Sequence, residues 1–125
     1  MSKKSRTVLI VDDDAAVRSA LKFALEVEGF TVRLYAGPEA LLVDADLPCH
    51  GCLIIDYRMP IMDGLELIGA LRKRHVSMPA ILITDRANNE LRRLAAKWGV
   101  RQVLEKPLSD SALLDGIRQA FGACG

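Results

Sequence analysis

Five short runs of β-branched and apolar residues recur along the chain, largely without alternation, and each is followed by a stretch of helical pattern. Thr7 to Val11 reads Thr-Val-Leu-Ile-Val; Thr31 to Tyr35, Cys52 to Ile55, Ala80 to Thr84 and the weaker Gln102 to Glu105 repeat the signature. A run without alternation suits a strand covered on both faces, the situation of a strand in a parallel sheet. Strands alternating with helices imply right-handed crossovers and helices on both sides of one sheet. The fold class expected is therefore α/β, a doubly wound five-stranded parallel sheet. With 125 residues, half of them apolar, the chain suffices for one core and is short for two, so residues 1–125 are read as one domain.

The helices have readable limits. Val17, Leu21, Ala24 and Leu25 form an apolar stripe, and Gly29 offers a left-handed stop, which predicts a first helix over Ala15 to Glu28. Pro38 suits the first turn of a short second helix, Leu65 to about Lys73 follows the Gly64 turn, and Asn88 to Trp98 ends at Gly99. Ser109 or Asp110 can cap the fifth helix, and Asp14 can cap the first. Residues 1–6 are expected to be disordered and 122–125 to be a frayed helix end.

Seventeen Lys and Arg oppose sixteen Asp and Glu, a net charge of +1. Bulk electrostatics thus points neither to nucleic acid nor to an anionic membrane, and acidic or basic function must be local. Arg72-Lys73-Arg74-His75 and Arg92-Arg93 are read as helix ends and solvated faces rather than a nucleic-acid patch. The apolar run Val8 to Val11 is too short for a signal-peptide core or a membrane span, so no membrane partner and a cytoplasmic location are expected. Cys49, Cys52 and Cys124 make no even disulfide framework. Cys49-His50-Gly51-Cys52 spells a C-x-x-C, but it precedes a strand where a redox pair should open a helix, so buried or loop thiols are expected.

In an open parallel sheet, ligands bind beyond the carboxyl ends of the strands. Strand one runs into Asp12, Asp13 and Asp14, strand three into Asp56, strand four into Thr84, and strand five into Lys106-Pro107. Carboxylates about 4 Å apart repel by roughly 4 kcal/mol per pair at an effective dielectric near 20. Mg²⁺, a hard ion that takes oxygen ligands and few protein carboxylates, would offset this, with Asp12, Asp13 and Asp56 as direct or water-mediated ligands. The free oxygen of Asp56 could then attack phosphorus to give an acyl phosphate, with Thr84 and Lys106 on the phosphoryl oxygens.

Leu9-Ile10-Val11-Asp12-Asp13-Asp14, the segment Leu53-Ile54-Ile55-Asp56-Tyr57-Arg58-Met59-Pro60-Ile61-Met62-Asp63-Gly64, Thr84 and Lys106-Pro107 together resemble response-regulator receiver domains of two-component signal transduction, over essentially the whole chain. The resemblance implies a flavodoxin-like strand order 2-1-3-4-5 and a cis Lys106-Pro107 bond. It implies Asp56 as phosphoacceptor, Mg²⁺ as cofactor, and the backbone carbonyl of Arg58 as a further metal ligand. The partner implied is a histidine kinase or phosphotransfer protein. A homodimer through the face of helix 4, strand 5 and helix 5 is compatible with it, as is the absence of direct nucleic-acid binding. Such a domain catalyses only its own phosphorylation and dephosphorylation.

Three positions depart from the family pattern. Asp85 follows Thr84 where a small residue is usual, adding a carboxylate near an acidic pocket. Val103 stands where an aromatic switch residue is often found, three before the lysine. Trp98 precedes Gly99, where smaller residues are commoner, and either packs a helix end or presents aromatic surface near the output face. Arg58 and Arg86, two after Asp56 and Thr84, flank the site, where the family's residues influence phosphate lifetime, and either could neutralise Asp85. These departures motivate an alternative, a degenerate receiver acting as a phosphorylation-independent interaction module. Two other classes fit less well: a haloacid-dehalogenase phosphatase would want a Thr soon after Asp12-Asp13-Asp14, and a flavin binder a Gly/Ser/Thr-rich loop after strand one.

Overall fold

The computed structural model describes residues 6–123. Its elements run β1 (Thr7–Val11), α1 (Ala15–Val27), β2 (Thr31–Tyr35), α2 (Pro38–Leu42), β3 (Cys52–Asp56), α3 (Gly64–Lys73), β4 (Ala80–Thr84), α4 (Asn89–Lys97), β5 (Val100–Glu105) and α5 (Asp110–Ala123). The strands form one sheet in the order β2-β1-β3-β4-β5, with every pairing parallel. This is the doubly wound α/β fold that the repeated strand and helix signatures predict, in the order implied by the resemblance.

The three inner strands are buried at every position, because both of their faces are covered. Leu9, Val11, Leu53, Ile55 and Leu82 pack with Leu41 of α2, Leu67, Ile68 and Leu71 of α3, and Leu91 and Ala95 of α4. The alternate residues Val8, Ile10, Ile54, Ile81 and Ile83 pack with Leu25 of α1 and with Leu113, Ile117 and Ala120 of α5. The period of two in the strands thus divides one apolar run between two cores. Burying each such Leu or Ile stabilises the fold by roughly 1.5–3 kcal/mol before entropy is counted.

Local chemistry sets the ends of the helices. Asp14 caps α1, its Oδ1 accepting from the amides of Ala16 at 2.9 Å and Val17 at 3.4 Å. The helix stops at Val27, with Glu28 as its C-cap and Gly29 at φ +96°, one residue short of the expected end. At α3, Asp63 Oδ1 accepts from the Glu66 amide at 2.8 Å while Glu66 Oε1 accepts from the Asp63 amide at 2.9 Å, a reciprocal capping box. Asn88 caps α4 rather than lying inside it, and Trp98 is its C-cap. For α5, Ser109 Oγ accepts from the Ala112 amide at 3.2 Å, which makes Ser109 a capping residue.

Two strand bounds need correction. β5 starts at Val100, two residues before Gln102, because the ladder to β4 shifts register: Ala80 pairs with Val100, Ile81 with Gln102, and Arg101 is skipped. A charged residue at the irregularity hides the strand's start. β3 extends one residue further, to Asp56, which pairs with Ile83. Arg6 lies against β2 and the residue before it: its guanidinium is 4.5 Å from the centroid of the Phe30 ring and its carbonyl accepts from the Thr31 amide at 3.0 Å. Gly122 is helical, within α5. Residues 1–5 and 124–125, and with them Cys124, lie outside the described residues. Cys49 is exposed in the loop before β3, and Cys52 is buried inside that strand.

Candidate functional site

The register of the parallel sheet assembles the site. Val11 pairs with Ile55, Asp56 with Ile83, and Thr84 with Glu105. Asp12 therefore follows in register with Asp56, and Thr84 and Lys106 each lie one position past their neighbour's partner, so the four arrive at one rim. β1 and β3 are neighbours there, where the strand order reverses. The loop after β3 is folded back on this rim by Gly64, whose amide donates to the Tyr57 carbonyl at 2.8 Å. A Cβ at position 64 would come within 2.6 Å of the Asp56 carbonyl, so only glycine fits.

Asp12, Asp56 and Thr84 are buried, at 2%, 6% and 1% exposure; Asp13 is exposed. One carboxylate oxygen from each of Asp12, Asp13 and Asp56 lies within 4.8 Å of the others. Asp12 Oδ1 accepts from the Asp14 amide at 2.9 Å, while buried Oδ2 has no hydrogen-bond partner. Lys106 Nζ sits 3.4 Å from Asp56 Oδ1, and the Lys106-Pro107 bond is cis.

The electrostatics follow from this crowding. Burial, and then the Asp12 charge, push the Asp56 carboxyl up to about 6, against the pull of Lys106. Burial likewise raises the Asp12 carboxyl, opposed by the Asp14 amide. Burial disfavours the Lys106 ammonium, yet Asp56 and Asp12, with Asp85 contributing less, outweigh it and raise its pKa. Three hard oxygen donors, an unpartnered Oδ2 and a carboxyl that resists ionising fit a site able to take a divalent cation such as Mg²⁺.

Thr84 is turned toward its own loop: its hydroxyl donates to the Arg86 carbonyl at 3.2 Å and accepts from the Arg86 amide at 3.3 Å. The next amide, Ala87, donates to Glu105 Oε2 at 3.2 Å. This bond, which ties the β4–α4 loop to the residue before Lys106, has no signal in the sequence, whereas the α3 capping box has one in the Asp63-x-x-Glu66 spacing. Asp85, Arg86 and Arg58 are exposed, and among the described residues no ion pair joins Asp85 to either arginine. Val103 is buried in the core shared with α4. Trp98 packs against α3, its ring 3.3 Å from where a Cβ on Gly69 would lie, and stays 38% exposed.

A family model described as the response regulator receiver domain matches residues 8–118. The chain belongs to the response regulator receiver family. Among curated relatives, this receiver is 38% identical over 120 residues to the transcriptional regulatory protein FixJ of Azorhizobium caulinodans, covering 95% of this chain and 56% of that protein. It is 37% identical over 114 residues to FixJ of Rhizobium meliloti, covering 91% and 56%. Among solved structures, the receiver resembles that of FixJ-N with a TM-score of 0.86 and 36% identity, covering 96% of each chain. It resembles the response regulator StyR with a TM-score of 0.88 and 35% identity, covering 96% of this chain and 61% of that one. The chain therefore spans a little over half the length of the FixJ relatives. Family membership over these residues sets aside the phosphatase and flavin-binder alternatives.

Proposed function

We propose that this receiver accepts a phosphoryl group on Asp56 from a phosphohistidine of a histidine kinase or phosphotransfer protein. The observation that carries the reading is the setting of the buried Asp56 carboxylate, with Asp12 and Asp13 oxygens within 4.8 Å and the Lys106 ammonium 3.4 Å away. An Asp56 oxygen attacks phosphorus, the new O–P bond replaces the N–P bond, and the imidazole nitrogen that leaves takes up a proton. Asp12, Asp13, Asp56 and the Arg58 carbonyl would hold Mg²⁺, which supplies positive charge to the transferring phosphoryl oxygens when bound. Lys106 exchanges part of its pairing with Asp56 for a phosphoryl oxygen. Thr84 leaves the Arg86 carbonyl to donate to another, which reshapes the β4–α4 loop without an aromatic ring at Val103. Presence of all five residues at one rim supports this reading over a degenerate interaction module.

Incubation with acetyl phosphate and Mg²⁺ should add the mass of one phosphoryl group, lost in the Asp56→Asn variant. A gain retained in Asp56→Asn, or none in the unaltered protein, would refute the assignment. Arg58 and Arg86 we take to restrict the attacking water, with Asp85 limiting access beside Thr84. An Arg58→Ala variant that loses its phosphate no faster would count against that role. Phosphorylation is proposed to change the surface of α4, β5 and α5, through which two copies would pair, in a cytoplasmic protein that binds no nucleic acid through this domain.

A further inference from the structure

Asp12 is held at nearly every polar atom it has. Its amide donates to the Tyr35 carbonyl of β2 at 3.2 Å and its Oδ1 accepts from the Asp14 amide at 2.9 Å. Its own carbonyl accepts from Arg18 Nη1 of α1 at 2.7 Å, the shortest of the three contacts. What remains is Oδ2, the buried oxygen without a partner. The Arg18 side chain reaches back past the start of its own helix, since Arg18 follows directly on the first turn, after Ala15, Ala16 and Val17. A cation there opposes the helix dipole, and among the described residues no carboxylate forms an ion pair with it. Ordinary surface solvation or helix pairing thus explains its position poorly, whereas the bond to Asp12 does explain it.

We propose that Arg18 is a positioning residue of the acidic site: by clasping the Asp12 carbonyl from α1, it fixes the β1–α1 turn so that the Asp12 and Asp13 carboxylates converge with Asp56 on a divalent cation. The inference rests on the metal-binding reading above. It makes a prediction whose sign separates it from simple electrostatics. If Arg18 acted only as a nearby positive charge, removing it would strengthen cation binding, because like charges repel. As a positioning group, its removal weakens binding, since the turn is freed to sample arrangements in which the carboxylates diverge.

Calorimetric titration of the whole chain with Mg²⁺ alone tests this. Arg18→Ala and Arg18→Met, the latter keeping most of the apolar stem, should each raise the dissociation constant on the order of 10-fold. Arg18→Lys, which keeps a donor of similar reach, should recover most of that loss. Backbone amide resonances of Asp12, Asp13 and Asp14 should shift in the Ala and Met variants and return toward their places in the Lys variant. Unchanged or tighter Mg²⁺ binding in either the Ala or the Met variant, with the unaltered protein binding normally, overturns the role of Arg18 and leaves the metal site standing. Failure of Lys to bind better than Ala also overturns it. An unaltered protein that does not bind Mg²⁺ overturns the metal reading, and this inference with it.

Discussion

Asp56 is where charge and burial conflict most directly. Its carboxyl is raised from 3.8 to about 6 in the fold, so between those values the folded protein holds a proton that the unfolded chain has released. The sign follows: stability from this group is complete below about pH 4 and is lost as pH rises through about 6. In metal-free buffer, Asp56→Asn should therefore be more stable than the unaltered protein at pH 7.5, by on the order of 1–3 kcal/mol. The two should converge near pH 4. Urea unfolding of both proteins in chelator across this range measures it, and equal stability at pH 7.5 would contradict the assigned cause. Gly64 is constrained differently, by the backbone of Asp56 pressed against it, so sterics and charge meet at the same strand end.

Along α4, only Leu91 and Ala95 are buried. Arg72 compensates from α3. Its guanidinium donates to the Trp98 carbonyl at the end of α4 at 2.9 Å, and to the Val76 and Met78 carbonyls before β4 at 2.9 and 2.8 Å. Half-burial lowers its pKa, yet a guanidinium stays charged, and its planar fork spans three acceptors that an ammonium could not reach together. Arg72→Ala should cost about 2 kcal/mol or more and speed amide exchange at the C-terminal end of α4. Arg72→Lys should restore little of it. Exchange at the α4 end indistinguishable from the unaltered protein would mean that the clasp is inert. The other end of α4 follows the loop held by Thr84 and Glu105, so the helix is clasped at its tail and adjoins a loop tied to the rim of the sheet.

For the whole molecule, the rim of acids destabilises the metal-free fold while the two cores hold it together. A cation binding only the folded state stabilises by mass action, about 2.7 kcal/mol at a concentration one hundred times its dissociation constant. Mg²⁺ should consequently raise the melting temperature of the unaltered protein at neutral pH. The rise should shrink in Asp12→Asn, in which one of the three clustered carboxylates is removed. A thermal shift with Mg²⁺ of equal size in both proteins would place the cation elsewhere.

Much of this was readable from residue order. Unalternated β-branched runs such as Thr7–Val11 and Ala80–Thr84 can satisfy burial only between two helical layers, and this determines the fold class. The polar residues that end those runs, Asp12, Asp56, Thr84 and Lys106, follow from strand direction, since parallel strands all deliver their carboxyl ends to one rim. The bulge at Arg101, the clasps of Arg18 and Arg72, and the bond from Ala87 to Glu105 were decided only by tertiary structure. Each joins a charged side chain or a register slip to a backbone group outside its own element, and a backbone carbonyl or amide leaves no mark in an amino-acid sequence.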